Sequence, residues 1–216
     1  MNTAVPVTLL YVGDPMCSWC YGFAVPLTQL RAQFPALPVK LMLGGLRAYN
    51  TQVMDAALKN KLRQHWGHVA QRSGQPFSDH LFEREDFIYD TEPACRAVVT
   101  VRQQAPELAL PMYEAIQQAF YAQGRDVTQA AVLAKLWQQV SGPAGQALDF
   151  LRTFDSDAAR QATRDDFSQV QRWGISGFPT LLVLAQGQAH LLSNGYTEAE
   201  VLADRLAPFI TAPPTP

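Results

Sequence analysis

Apolar residues form short strand-like runs near the two ends of the chain and fall at helical spacing between them. Val7-Thr8-Leu9-Leu10-Tyr11-Val12 is rich in β-branched and aromatic residues and predicts a first strand, which Asp14-Pro15 breaks. Phe23, Leu27, Leu30 and Phe34 then repeat at helical spacing. Pro26 lies inside that pattern, removes a backbone donor and is expected to bend the helix. Pro38-Val39-Lys40-Leu41-Met42-Leu43 reads as a second strand closed by Gly44-Gly45. A strand, a helix and a strand at this spacing imply a right-handed crossover and a parallel pair.

Residues 45–155 carry no convincing strand pattern. Helical spacing recurs at Met54, Leu58, Leu62 and Val69, at Ala94, Val98 and Val101, and at Leu108, Met112, Ile116 and Phe120. It recurs again at Val132, Leu133, Leu136 and Val140, with Gly74-Gln75-Pro76, Gly124 and Ser141-Gly142-Pro143 as punctuation. No fixed period emerges, so the segment predicts a helical subdomain and not a repeat array. A helix is expected from about Asp155 to Trp173, then a hairpin of Leu181–Ala185 and Ala189–Leu192 around Gln186-Gly187-Gln188. A last helix, capped by Thr197 with Glu200 three residues on, would pack through Val201, Leu202, Leu206 and Phe209.

Composition narrows the function more than it adds to the fold. The 216 residues are 48% hydrophobic and 17% charged, with a formal net charge of −2. No basic block suggests a nucleic-acid surface, and no run of about 18 apolar residues suggests a membrane span. The start Met1-Asn2-Thr3-Ala4-Val5-Pro6 has no basic leader, and three cysteines make no disulfide framework. Both point to the cytoplasm as the expected location.

The chemistry concentrates in Cys17-Ser18-Trp19-Cys20, between the first strand and the first helix. Helix-terminal N–H groups and the helix dipole stabilise a thiolate at Cys17, and Cys20 lies one turn on, where it could attack a mixed disulfide. Cys17 is thus the expected nucleophile, more acidic and more accessible than Cys20. Zinc uses the same spacing and would need further ligands, for which His65 and His68 are the candidates. Trp19 suits a substrate-facing loop better than a zinc knuckle. Cys95 follows the helix start at Thr91 and Pro93 and reads as a small packed residue, with a third redox thiol as the other reading. Asp14 could accept a proton from the thiols or simply make the turn before Pro15, and its charge would oppose nucleophilicity. Gly44-Gly45-Leu46-Arg47 lacks the Lys and Ser/Thr of a phosphate loop and reads as a turn.

Far down the chain, Gly177-Phe178-Pro179-Thr180 immediately precedes the apolar run Leu181-Leu182-Val183-Leu184. Together with Asp14-Pro15-Met16-Cys17-Ser18-Trp19-Cys20-Tyr21-Gly22, it resembles the DsbA-like branch of the thioredoxin superfamily, most closely the FrnE-type and predicted disulfide-isomerase proteins. That resemblance implies an α/β thioredoxin fold with a large helical insertion. Residues 1–44 and 156–211 would form the thioredoxin-fold parts, 45–155 the insertion and 212–216 a flexible tail. It implies that Cys17 attacks and Cys20 resolves, that Pro179 is a cis-proline, and that the Phe178 backbone pairs with an extended substrate near Ser18 and Trp19. It also implies a protein-disulfide oxidoreductase or isomerase acting on protein or peptide substrates. No bound cofactor or metal is expected beyond the dithiol, with thioredoxin or glutathione as redox partner and no nucleic-acid or membrane partner. The Ser18-Trp19 dipeptide differs from the Pro-His of strongly oxidising members and leaves the redox direction open. Two other readings share the fold: a glutathione-dependent isomerase or transferase of the kappa type, against which Cys20 counts, and a non-catalytic adaptor.

Overall fold

In the computed structural model, residues 7–142 and 146–211 are described. The expected flexible tail at 212–216 and the opening residues 1–6 lie outside them. Four strands form one sheet in the order β2-β1-β3-β4. Strand β1 (Thr8–Gly13) runs parallel to β2 (Val39–Leu43), as the strand–helix–strand spacing predicts, with Tyr11 opposite Leu41. It runs antiparallel to β3 (Thr180–Ala185), with Tyr11 opposite Leu181. Strand β4 (Gln188–Asn194) closes the hairpin. Its turn is the pair Gln186-Gly187, both at positive φ, which is tighter than the three-residue turn the sequence suggested.

Period-two alternation along the strands divides the core. Leu9, Tyr11, Leu41, Leu43, Leu181 and Val183 join the main core. Helix α1 (Ser18–Gln33) and the last helix, α9 (Ala199–Thr211), contribute Phe23, Leu27, Leu202 and Leu206 to that face. Leu10 and Val12 face the other way, where Val170 packs against them. The last helix begins two residues beyond Thr197, and the Glu198 carbonyl accepts its first bond, from Leu202 N.

Between the two sheet halves run α2 (Ala56–Ser73), the single turn α3 (His80–Glu83), α4 (Glu92–Gln104), α5 (Ala109–Gln117), α6 (Ala130–Ser141), α7 (Ala147–Phe154) and α8 (Asp157–Arg172). A π turn at Gln118–Ala122 continues α5 and places Phe120 and Tyr121 in the core. Two ion pairs involve α4, one buried and one with its arginine partly exposed. Arg96 bonds Glu92 at 2.8 Å and the Phe154 carbonyl at 2.7 Å, and lies 3.9 Å over the Phe154 ring. Arg102 makes two 2.8 Å contacts to Asp166, which also accepts the Leu43 N–H of β2. Because both partners are hydrogen-bonded in each pair, breaking either by truncation costs more than its Coulomb attraction suggests. Among the described residues no helix is long and apolar enough to cross a membrane.

Candidate active site

Strand β1 ends at Gly13, and the turn Asp14-Pro15-Met16 delivers the chain into α1 with Cys17 as its N-cap residue. The Asp14 carboxylate, fully buried, builds that turn. One oxygen accepts the Met16 N–H at 2.7 Å and the other the Leu46 N–H at 2.7 Å, so Asp14 binds the thiol loop to the loop after β2. The Cys95 thiol donates to it at 3.5 Å. Burial raises the Asp14 pKa, with the Met16 N–H, the Thr91 hydroxyl and the Leu46 N–H pulling it back. The turn reading of Asp14 is therefore sound, and the turn extends across the fold.

Cys17, Cys20 and Cys95 are free thiols. Cys17 is 5% exposed and Cys20 is 0%, so Cys17 is the more accessible of the pair. The expectation of an acidic Cys17 needs correction. The neighbouring Cys20 thiol, burial, and the charges of Cys20 and Asp14 push the Cys17 thiol well up, while the Cys20 backbone amide works in the opposite direction. The helix N-terminus acts as expected but is outweighed, because the sequence does not reveal how deeply the thiol is buried.

The second half of the site comes from the loop before β3. The Phe178–Pro179 peptide bond is cis. The Phe178 carbonyl faces Cys17, whose Sγ donates to it at 3.6 Å. Thr180 Oγ1 bonds the Gly177 carbonyl at 2.8 Å, and the Gly195 N–H bonds the Pro179 carbonyl at 2.7 Å, fixing the loop from both sides. The tip of the Phe178 ring abuts Gly44, where a Cβ would come within 2.0 Å of it. This close approach accounts for a glycine at the end of β2.

Beside these groups opens a groove of about 720 Å³, walled by Trp19, His68, Arg72, Phe178, Asn194 and Tyr196 among others. Trp19 meets His65 edge-on at 5.9 Å and Tyr196 at 5.8 Å. Arg72 bonds Glu198 at 2.6 Å and lies 5.2 Å from the Tyr196 ring centroid. Of the expected substrate contacts, Trp19 and Phe178 line the groove, while Ser18 is buried at the start of α1 and neither Ser18 nor Pro179 lines it. His68, weighed in the sequence as a metal ligand, lines the groove. Among the described residues no group of three or more His, Cys, Asp or Glu side chains could hold a metal ion. Arg72, Asn194 and Tyr196 had no sequence signal, because α2 and the loop after β4 meet only in the fold.

Tyrosines line the inner side of the dithiol. Tyr89 donates to the Met16 carbonyl at 2.5 Å and its hydroxyl lies 3.2 Å from that of Tyr121, which stacks on Tyr21 at 5.0 Å. Tyr11 and Tyr113 pair through hydroxyls 3.2 Å apart. Burial raises all of these phenols, Tyr21 to about 12.

Residues 8–207 match the profile of the DSBA-like thioredoxin domain family. A candidate protein disulfide isomerase from Nitrosomonas europaea is 40% identical with a TM-score of 0.85, over 95% of this chain and 98% of that one. The cytosolic disulfide reductase DsbM from Pseudomonas aeruginosa is 28% identical with a TM-score of 0.77, over 95% of this chain and 100% of that one. DsbM solved with GSH superposes at 30% identity and a TM-score of 0.70, over 86% of this chain and 89% of that one. No curated protein sequence matches the chain.

Proposed function

The chain belongs to the DSBA-like thioredoxin domain family, and from that premise we propose that it is a thiol–disulfide oxidoreductase working through Cys17 and Cys20 as a reductase or isomerase. The observation that carries this reading is the contact of Cys17 Sγ with the Phe178 carbonyl at 3.6 Å, beside an open groove and with Cys20 behind it. An extended peptide lying along the Phe178 backbone would bring its disulfide to Cys17. The Cys17 thiolate attacks one sulfur of that disulfide, and the other sulfur leaves as a thiolate that takes up a proton. Cys20 then displaces the bound sulfur from Cys17. The substrate disulfide gains two electrons, and the protein is left with a Cys17–Cys20 disulfide for an external thiol to reduce.

The reducing direction is supported by the environment of Cys17. A strongly oxidising dithiol owes its potential to a stabilised thiolate in the reduced form. Here Cys20, burial and the Asp14 charge disfavour the Cys17 thiolate, which makes the reduced pair the better electron donor. Glutathione is the reductant we propose. Arg72 and His68 in the groove can receive its carboxylates, and the similar DsbM was solved with GSH. A cytoplasmic location goes with this direction and with the cytosolic DsbM. The kappa-type alternative is disfavoured by Cys20, one helical turn beyond Cys17, which supplies the second sulfur those enzymes lack.

The test is reduction of a peptide disulfide by glutathione, coupled to glutathione reductase and followed by NADPH consumption. Catalysed turnover that disappears in Cys17→Ser is expected. Turnover at the uncatalysed rate in the intact chain would contradict the reading.

A further inference from the structure

Phe178 meets the site at two points. Its carbonyl accepts from Cys17 Sγ at 3.6 Å, and its ring ends on Gly44. A Cβ at Gly44 would stand 2.0 Å from the ring's Cζ, 2.2 Å from Cε1 and 2.7 Å from Cε2, so the ring fills end-on the space that the absent side chain leaves. A methyl group there would have to drive the ring back by about 1.5 Å to reach ordinary van der Waals contact. Gly45 beside it has a φ of 66°, whereas Gly44 has no positive φ. Gly44 therefore supplies room for the ring and not backbone freedom.

This seat belongs to the same frame as the thiol loop. The Gly44 N–H donates to the carbonyl of Gly13, the last residue of β1, at 2.9 Å, and two residues on the Leu46 N–H is held by Asp14 at 2.7 Å. The far side of the Phe178 loop is tied to the end of β4, where the Gly195 N–H bonds the Pro179 carbonyl at 2.7 Å. The ring packs against the cores on both faces of the sheet.

We propose that Gly44 is a positioning residue for disulfide exchange: its open seat receives the Phe178 ring, and the seated ring sets how the Phe178 carbonyl stands to Cys17. This rests on the dithiol function proposed above. An extended peptide lying along the Phe178 backbone inherits that placement, so the seat fixes the approach of its disulfide to the Cys17 sulfur. A misplacement of about 1 Å between reacting groups can cost up to about a hundredfold in rate. A small disulfide without a peptide backbone has nothing to pair with Phe178 and depends far less on the seat.

The test compares a peptide disulfide with hydroxyethyl disulfide, each mixed with the reduced protein and followed by acid quench, alkylation and mass spectrometry of the Cys17–Cys20 pair. Gly44→Ala should lower the ratio of the peptide rate to the hydroxyethyl disulfide rate about tenfold. Adding Phe178→Leu, which lacks the Cε and Cζ atoms that the methyl meets, should restore the ratio to within about threefold of the parent. Phe178→Leu alone leaves the seat part-empty and should lower the ratio about threefold, and it carries the test if Gly44→Ala fails to fold. A ratio unchanged in both single variants would overturn the proposal. So would a fall in Gly44→Ala that Phe178→Leu does not relieve, since Gly44 would then act by another route. Failure of the unaltered protein to reduce either disulfide would instead sink the dithiol function on which the proposal rests.

Discussion

Cys17 and Cys95 both adjoin Asp14 and both are buried, Cys17 with its thiol pushed up by Cys20, burial and that carboxylate's charge, Cys95 by burial and the same charge. What separates them is their surroundings. Cys17 begins a helix, faces the Phe178 carbonyl beside a groove and has a second thiol one helical turn on. Cys95 lies in the second turn of α4 with 0% exposure, its proton directed to Asp14. The comparison teaches that a raised thiol pKa does not by itself mark an inert cysteine. Access and a partner sulfur decide, and only Cys17 has both.

The strongest way to break that contrast is to remove each thiol in turn. Cys17→Ser should bring disulfide-exchange turnover to background, whereas Cys95→Ser should retain it. Comparable losses in both would make Cys95 part of the chemistry. The alkaline stability profile sharpens it next. Cys17 and Cys95, together with Tyr11, Tyr89, Tyr113 and Tyr121, hold their protons more tightly folded than unfolded. The stability they contribute is complete below the unfolded values of 9.0 for thiol and 10.0 for phenol, and is lost as pH rises beyond them. Urea midpoints should therefore fall above pH 9, by as much as about 1.4 kcal/mol per pH unit for each group. A flat profile to pH 11 would show that these groups are not buried as described.

Asp14→Asn acts on both thiols at once. An amide in place of the carboxylate faces one of the Met16 and Leu46 N–H groups with a donor and should cost about 1–3 kcal/mol. Loss of the negative charge should also lower the Cys17 titration midpoint, speeding its alkylation at neutral pH. Slower alkylation in the variant would reverse the sign assigned to Asp14. The smallest effect expected is that of Cys95→Ala, about 1 kcal/mol of stability with exchange kinetics intact, read from denaturation and turnover together.

Much of this was legible in the sequence because local rules and the fold agree. Apolar runs bounded by Asp14-Pro15, Gly44-Gly45 and Asn194-Gly195 became β1, β2 and the closing hairpin, and Cys17 marks the start of α1 as its spacing implied. The failures have one physical origin, that burial is not written locally. Asp14, Glu92, Arg96 and Asp166 look like surface charges in sequence, yet each is buried against a partner, in three of the four cases one from a distant element. The same holds for Tyr11 and Tyr113, 102 residues apart, whose hydroxyls only the fold joins. Arg72 and Tyr196 belong to the groove only because α2 and the loop after β4 converge there.

The central claim, that Cys17 and Cys20 form a reducing dithiol, is tested most directly by the equilibrium potential of that pair. Graded glutathione buffers, with the oxidised fraction read by alkylation and mass spectrometry, give the value. A potential near thioredoxin's, about −270 mV, is the result predicted. A value near DsbA's, about −120 mV, or a pair that forms no disulfide in any buffer, would contradict the account.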